Sequence, residues 1–528
     1  MADETAPETE SPLLNPHPSS GGLERSDVVV RKGRLTLLNG HLTPQQSMIE
    51  DLLFIDDALT AADVDHMLIR GNDTRPVLAL DERDRQRAES TLMDACANEP
   101  FYAKPPGERA VLIADDGLGQ SGRDVLRLFR PRLEPIGRLR YGADTAVQVE
   151  FWRVTDTEVL APVENAMMRR SLPLDEFVRT EVERYGRTWQ TIEHMFDDHV
   201  SDITFPIDMV FSWVDGNAIE YQRARQAQQA GAVLGEGDDA PARFRQIDEL
   251  KYALRSVHTF APWIRTIYIA TDSPAPAWLA DHPRVRIVRS EEFFADPSVL
   301  PTHNSQAVES QLHHIPGLSE HFIYSNDDMF FGRWVDPSMF FSPGSITKFI
   351  LATTRIGLGT NNAQRSGFEN SARVNRQLLQ QRFGAITTRH LEHAATPLRK
   401  SVMSEMEHEF ADEFARTAAS RFRAADNISV TNSLYHYYAL MTGRAIVQEN
   451  AVVQYVDTTM VSGLTALDEL LRRRNVDFFC LNDGSFPEVS DDERTARVTD
   501  FLEKYFPFPA PWERPTDGIA PAGAATAG

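Results

Sequence analysis

Apolar residues follow two different periods along this chain, and the changes of period mark the predicted elements. From Pro206 onward, short buried runs of strand type alternate with longer helical stripes. Strands followed in turn by helices are typical of an α/β fold with a parallel, doubly wound sheet. The predicted strands are Ile207–Val214, Ile264–Thr271, Val285–Val288 and His321–Ser325, and the predicted helices between them are Phe244–Phe260 and 304–314.

The pattern also divides the chain into domains. It predicts a smaller N-terminal α/β module over residues 27–200 and the main domain over residues 201–513. Within the main domain, residues 371–475 are predicted to be mostly helical. Residues 1–26 and 514–528 offer little apolar surface, so both are predicted to be disordered tails. Within the module the predicted elements are strands at Val28–Val30, Leu35–Leu38, Ala110–Ala114 and Ala146–Trp152, and a helix that begins at the cap-like Thr60–Asp63 and continues to Ile69.

Charge and cysteine content exclude several classes of protein. Lys and Arg number 54 against 77 Asp and Glu, a formal charge of −23, which disfavours binding to nucleic acid. No apolar run of about 18 residues is present, so we expect no transmembrane segment. The two cysteines, Cys96 and Cys480, indicate a reducing compartment and no thiolate zinc site. We expect a cytoplasmic protein, either free or peripheral at the inner face of the membrane; a homo-oligomer stays open.

Carboxylates follow several of the predicted strands. Asp215, Asp272 and the pair Asp327 and Asp328 come directly after strand-type runs. In open parallel sheets, ligands bind outside the carboxyl ends of the strands. Carboxylates and phosphate oxygens are the ligands that Mg²⁺ prefers, so this edge is a candidate site for a metal-bound diphosphate. The competing interpretation is a set of Asx-rich turns that end the strands.

Two helical segments place polar side chains on one face. Ser305, Glu309 and His313 recur four residues apart, preceded by Asn304. Glu309 and His313 lack the HExxH spacing of a zinc site, so they are interpreted as polar site groups. The other segment carries Glu249 with the arginines Arg245 and Arg255, which could fork onto a diphosphate. An ordinary solvated face is the alternative for this second segment.

Three further motifs could take part in chemistry. His393 follows His390 closely, and either imidazole could act as a general base near neutral pH, although a single histidine is more often structural. Arg423 precedes a predicted helix and could hold a phosphate. Gly117–Gly122 fits the G-x-G-x-x-G pattern, but the acidic residues directly before it would repel a pyrophosphate, so a plain glycine-rich turn is preferred.

These residues carry a family resemblance. Four blocks resemble, in order, those of the Stealth family of hexose-1-phosphate transferases, which includes actinobacterial exopolysaccharide and capsular phosphotransferases and the catalytic subunit of N-acetylglucosamine-1-phosphotransferase. The blocks are Ile207–Gly216, the segment from Arg243 to Leu279, the segment from Pro301 to Arg333, and Cys480–Asp483 with Phe501–Pro507 and Trp512–Glu513. Residues 27–200 lie outside them and resemble an N-terminal extension.

The resemblance implies a Rossmann-like, glycosyltransferase-type core and transfer of a whole sugar-1-phosphate. A nucleotide-sugar donor is expected, for which UDP-N-acetylhexosamine is an example, together with a glycan acceptor and Mg²⁺ or Mn²⁺. The expected roles are as follows: catalysis by His393, Arg423, Asp215 and Glu309; substrate binding by Arg245, Glu249, Arg255, Asn304, Ser305 and His313; metal binding by Asp327 and Asp328. An ordinary glycosyltransferase and a noncatalytic glycan-binding protein stay open as alternatives.

Overall fold

The computed structural model describes residues 25–115, 118, 122–216, 222–223, 247–484 and 487–515. The chain divides into two compact units between Asp198 and His199. Arg245 and most of both predicted tails lie outside the described residues, as does nearly all of the glycine-rich turn at 117–122.

The first unit is built on a mixed sheet of eight strands. Its centre is the strand Val147–Val154, which pairs in parallel with Pro76–Asp81 and antiparallel with Val125–Phe129. The two helices are Pro44–Ala61 and Arg85–Ala95. The strands are Val28–Arg31, Arg34–Leu38, His66–Arg70, Pro76–Asp81, Tyr102–Lys104, Val111–Leu112, Val125–Phe129, Arg132–Leu133, Arg140–Tyr141, Val147–Val154, Glu158–Leu160, Ser171–Pro173, Arg179–Arg184 and Arg187–Ile192.

One predicted helix in this unit is wrong. The cap-like Thr60–Asp63 stands at the end of the helix Pro44–Ala61, whose true N-cap is Thr43 in a capping box with Gln46. The chain then enters the strand His66–Arg70, which pairs antiparallel with Pro76–Asp81. Sheet pairing and burial therefore override a local signal that resembles a helix start.

The second unit contains the doubly wound sheet. Its strand order is Val285–Val288, Ile267–Ala270, Ile207–Ser212, His321–Asn326 and Thr396–Arg399, and only the last strand is antiparallel to its neighbour. The first strand in sequence lies in the middle, so the winding reverses between it and His321–Asn326. In this topology the crevice at the carboxyl ends of those two strands is the usual ligand site.

Both faces of this sheet are covered. Met209 and Phe211 point into one hydrophobic cluster, and the intervening Val210 points into the other. This alternation buries both faces of each strand, which explains why the sequence shows near-continuous apolar runs. The described helices of this unit are Glu249–Phe260, Ser290–Phe293, Ser305–Gln311, Gly367–Phe383, Lys400–Glu409, Ala411–Ala419, Tyr435–Met441, Val461–Arg473 and Asp491–Tyr505.

A smaller three-stranded sheet lies beside the reversal point. The strand Phe478–Asn482 pairs with Met329–Phe331 on one side and with Val453–Asp457 on the other. The segment 371–475 is therefore less helical than predicted, because it also contains Arg389–Leu391, Thr396–Arg399, Ala445–Val447 and Val453–Asp457. The remaining strands of this unit are Thr347–Phe349 and Leu351–Arg355.

Candidate active site

A group of carboxylates lies at the point where the sheet reverses. Asp327 and Asp328 follow the strand His321–Asn326, and Glu249 begins the helix Glu249–Phe260. Burial raises the pKa of Glu249 to about 7, with a further contribution from the negative charge of Asp327. Burial likewise raises the pKa of Asp328 to about 6, and the neighbouring Glu249 and Asp483 carboxylates add to that rise. Several carboxyl groups therefore lie close together in a buried place, and each raises the pKa of its neighbours.

This group has the chemistry of a divalent-cation site. The buried Oδ1 of Asp328 finds no hydrogen-bond donor among the described residues. Its Oδ2 accepts only a weak bond from the Cys480 thiol, with Sγ at 3.5 Å. Carboxylate oxygens are hard ligands that suit Mg²⁺ or Mn²⁺. A bound cation would relieve the repulsion among these carboxylates and would satisfy the open lone pair of Asp328 Oδ1. Asp327 and Asp328 would hold the ion, with Glu249 beside them.

A second group consists of Arg423, Ser305 and Glu309. Arg423 donates from Nη2 to Ser305 Oγ over 2.9 Å. Glu309, four residues further along the same helix, accepts from Thr431 Oγ1 at 2.7 Å. Burial raises the pKa of Glu309, while the Thr431 hydroxyl and the charge of Arg423 favour its ionised form. The predicted polar face of this helix therefore brings a carboxylate and a guanidinium into one group.

The amide of Asn304 is bonded within the protein, which favours a positioning role for this predicted substrate-binding residue. Its side chain is buried, and Nδ2 donates to the carbonyl oxygens of Ser420 and Phe422 and to Oδ1 of Asn427. Asn427 Oδ1 also accepts from the backbone N–H of Ala424. These bonds fix the turn on which Arg423 stands, and that turn does not begin a helix, contrary to the prediction.

The lack of a side chain at Gly367 makes room for the side chain of Arg423. A Cβ on Gly367 would lie 2.7 Å from Cδ and 2.9 Å from Cβ of Arg423. The helix Gly367–Phe383 therefore begins directly against the arginine stem, and only a residue without a side chain fits there. The sequence signal for this residue is slight, since Gly367 is one glycine in a polar segment.

His393 lies near the same edge of the sheet. It precedes the strand Thr396–Arg399, whose Thr396 pairs with Tyr324 near the carboxyl end of the neighbouring strand. The ring centroid of His393 lies 5.3 Å from that of Tyr455 and 6.1 Å from that of Phe368. Burial lowers the pKa of His393, so its imidazole is neutral at pH 7 and able to accept a proton. The short strand Thr396–Arg399 separates His393 from the helix Lys400–Glu409.

The structure does not bring Arg255 into these groups. Its guanidinium makes a two-pronged ion pair with Glu513, each bond 2.7 Å long, and Nη1 donates to the carbonyl oxygen of Phe506. Because its donors are used within the protein, these contacts favour a structural role for Arg255 over the predicted substrate binding. Asp215 follows the strand Ile207–Ser212, and its backbone N–H donates to Ser273 Oγ at 2.8 Å.

His313 also has a different neighbourhood from the predicted one. Its Nε2 lies 2.9 Å from Glu407 Oε2, and Nε2 of His314 lies 3.0 Å from the same oxygen. One ligand atom from each of these three residues lies within 4.8 Å of the others, so the trio could hold a metal ion. His313 therefore pairs with Glu407 of the helix Lys400–Glu409, and the structure does not bring it into either of the two groups above.

Sequence reasoning missed several members of the site. Thr431 lies on a single turn of π-helix, Val430–Leu434, a local irregularity that often marks functional positions. Tyr455 is brought beside Cys480 by strand pairing, and Cys480 by pairing opposite Met329. No periodicity distinguishes these residues, and only the position of Cys480 in the fourth motif block gave a signal.

Comparison with known proteins assigns the family. The models of Stealth protein conserved regions 2, 3 and 4 match residues 243–349, 392–440 and 468–521. The exopolysaccharide phosphotransferase CpsY of Mycobacterium tuberculosis is 60% identical over 491 residues, covering 92% of each chain. The chain belongs to the Stealth family. Glu309, Asp327 and Asp328 lie in the matched region 2, and His393 and Arg423 lie in region 3.

Other Stealth relatives agree in both length and class. The exopolysaccharide phosphotransferase of Nocardia farcinica is 52% identical over 494 residues, covering 94% of this chain and 92% of that protein. The predictions of a Stealth family member and of a transferase are confirmed by these relatives. Among solved structures, the galactosyltransferase LgtC covers 57% of this chain and 96% of its own, at 14% identity and a TM-score of 0.28.

No helix among the described residues is long and apolar enough to cross a membrane.

Proposed function

We propose that this Stealth protein transfers a sugar-1-phosphate from a nucleotide sugar to a hydroxyl of a glycan in exopolysaccharide synthesis. The observation that carries the proposal is the arrangement at the sheet reversal. Ser305 holds the guanidinium of Arg423. Tyr324, on the strand His321–Asn326, interacts with Glu309 of that group and with Asp327 of the carboxylate group, which connects the two. Phosphoryl transfer depends mainly on positioning and on electrostatic stabilisation, and these are the parts that it requires.

The reaction divides among the residues as follows. Arg423 binds the transferring phosphoryl group, and the Ser305 hydroxyl keeps its guanidinium in place. His393 accepts the proton of the acceptor hydroxyl, whose oxygen attacks the sugar-linked phosphorus. A new phosphodiester P–O bond forms, the bond to the bridging oxygen of the diphosphate breaks, and a nucleoside monophosphate leaves. Asp327 and Asp328 would hold a divalent cation, which would supply positive charge to the donor diphosphate.

Glu309 and Glu249 serve this arrangement from the protein side. Glu309 sets the charge beside Arg423, and its ionised form is favoured by Thr431 and by Arg423 itself. Glu249 adds a third acidic group next to the metal carboxylates. Asp215 follows the strand that adjoins His321–Asn326, which supports a role for it beside these carboxylates. The two free cysteines, both buried, support a reducing compartment and hence a cytoplasmic enzyme.

The nucleotide product tests the proposal. Purified protein is incubated with a panel of UDP-sugars, Mg²⁺ and glycan, and the released nucleotide is identified. Transfer of the sugar-1-phosphate releases UMP. Release of UDP would indicate an ordinary glycosyltransferase, and glycan binding without consumption of any donor would indicate a noncatalytic protein.

The base is identified by comparing two neighbouring histidines. Single-turnover rates at saturating donor are measured for His393→Ala and His390→Ala. We expect His393→Ala to slow the reaction by about 10²–10⁴-fold, the usual contribution of a positioned base. A normal rate for His393→Ala with a crippled His390→Ala would move the role to His390, and normal rates for both would end the histidine mechanism.

A further inference from the structure

Two aromatic side chains in the described part of the chain are exposed, and both flank His393. Phe368 is 41% exposed and Tyr455 is 48% exposed, whereas every other Phe, Tyr and Trp that the structure describes is buried or half-buried. Their ring centroids lie 6.1 Å and 5.3 Å from that of His393. Aromatic rings left open to water at one place are a common sign of a binding surface.

Each ring is also tied to one of the two charged groups. Phe368 follows Gly367, which packs directly against the stem of Arg423. Tyr455 pairs in the sheet with Cys480, whose Sγ lies 3.5 Å from Asp328 Oδ2. One ring is thus linked to the arginine that would bind phosphate, and the other is linked to the carboxylates that would bind the cation.

The place of the acceptor follows from the base. A hydroxyl that gives its proton to His393 must approach within about 2.6–3.2 Å of the imidazole. The sugar ring that carries this hydroxyl then extends over the following few ångströms, which is where the rings of Phe368 and Tyr455 lie. A sugar ring has an apolar C–H face beside its polar rim, and an aromatic face is complementary to it.

Ordinary packing explains the two residues less well. Phe368 stacks on His390 with centroids 4.6 Å apart, as a residue that fixes a helix start could do. Phe368 makes this contact and still leaves 41% of its surface open to solvent. Tyr455 lies in the strand Val453–Asp457, whose partner Phe478–Asn482 is buried over most of its length, yet its ring stays open to solvent.

We propose that Phe368 and Tyr455 form the acceptor subsite, on which a sugar ring of the glycan stacks beside His393. The inference rests on the proposed function and deepens it, because it names the part of the site that receives the carbohydrate. The nucleotide base would be the other flat ligand for such rings, and the test below separates the two.

The test measures donor and acceptor separately. The probe is a set of size-fractionated oligosaccharides cut from the producing strain's own exopolysaccharide. We expect Phe368→Ala and Tyr455→Ala each to raise the acceptor KM roughly 3- to 10-fold, the worth of an aromatic contact, while the donor KM stays the same. Phe368→Trp and Tyr455→Phe keep a ring and should restore the acceptor KM. Ile446→Ala, an equally exposed apolar residue on another strand, should change neither constant.

A direct measurement of oligosaccharide binding tests the subsite independently of catalysis. Calorimetric titration of the same oligosaccharides without donor should show weaker binding to both alanine variants. Unchanged acceptor KM and unchanged oligosaccharide affinity would overturn the subsite, and so would a rise in the donor KM alone, which would assign the rings to the nucleotide. If the wild type released no UMP, the proposed function would fail while the titration still decided the subsite.

Discussion

Adding one methyl group at Gly367 should disable Arg423 without unfolding the protein. A Cβ at this position would lie 2.7 Å from Cδ, 2.9 Å from Cβ and 3.2 Å from Cγ of Arg423. Carbon atoms in contact prefer about 3.5–4.0 Å, so the two segments must separate by roughly 0.6–1 Å. Because the arginine Cβ is among the clashing atoms, rotating the far end of the side chain cannot relieve the contact.

The expected cost follows from that displacement. A shift of this size would lengthen the 2.9 Å bond from Arg423 to Ser305 and move the guanidinium off the transferring phosphoryl group. Misplacement by about 1 Å can cost about 10²-fold in rate, so we expect kcat for Gly367→Ala to fall roughly 10- to 100-fold. Gly367 is the first residue of its helix and alanine favours helix, so part of the packing strain is offset.

The assay is UMP release under saturating substrates, with thermal unfolding followed on the same samples. Gly344→Ala is the matched control, because a Cβ there meets no atom within 4 Å. It should leave both kcat and Tm unchanged. A Gly367→Ala protein with normal kcat would refute the role given to Arg423, and one that loses Tm and kcat together would reduce the effect to instability.

Three further changes test other parts of the structure. Asp328→Asn should abolish turnover with Tm kept, and a chelator should do the same to the wild type; full activity after metal stripping would remove the cation from the mechanism. Glu513→Gln leaves the buried charge of Arg255 unpaired and should cost about 3–5 kcal/mol of unfolding free energy with little change in donor KM; the reverse result would return Arg255 to diphosphate binding. His436 is buried, and burial lowers its pKa to about 4. Below pH 6.5 the unfolded chain therefore binds a proton that the folded chain does not bind. The free energy of unfolding should decrease as the pH is lowered from 7 to 5. Replacing it by Gln should recover roughly 1–2 kcal/mol of the loss between pH 7 and pH 5 in denaturant titrations, and an identical loss in the variant would contradict this reasoning.

Local sequence patterns were sufficient to predict the strands of the main sheet and many residues of the candidate site. The strands Ile207–Ser212 and His321–Asn326 are visible in the sequence because a strand buried on both faces needs an unbroken apolar run. The row of Ser305 and Glu309 is visible because helical spacing alone places residues four apart on one face. The family assignment likewise needed only motifs in order along the chain.

Local patterns failed where a distant partner decided the outcome. The segment Thr60–Ile69 resembles a helix start, but pairing with Pro76–Asp81 makes its second half a strand. Asn304 is a polar residue in a motif, and the sequence does not show its partner. Its amide donates to a backbone carbonyl oxygen of a turn that lies more than a hundred residues away in sequence. The same holds for His313, whose partner Glu407 comes from a different helix.

The sequence by itself thus determined the periodicity, the strand ends and the residue types that could bind a cation or a phosphate. The tertiary structure alone decided which of those side chains come together at the candidate site and which form ion pairs elsewhere in the protein. Arg255 and Arg423 look alike in the sequence, yet Glu513, which is 258 residues away, pairs with Arg255, while Gly367 and Asn304 make room for Arg423 and hold its turn. The physical reason is that burying a charge requires a partner, and folding brings that partner from a part of the chain that no local pattern can indicate.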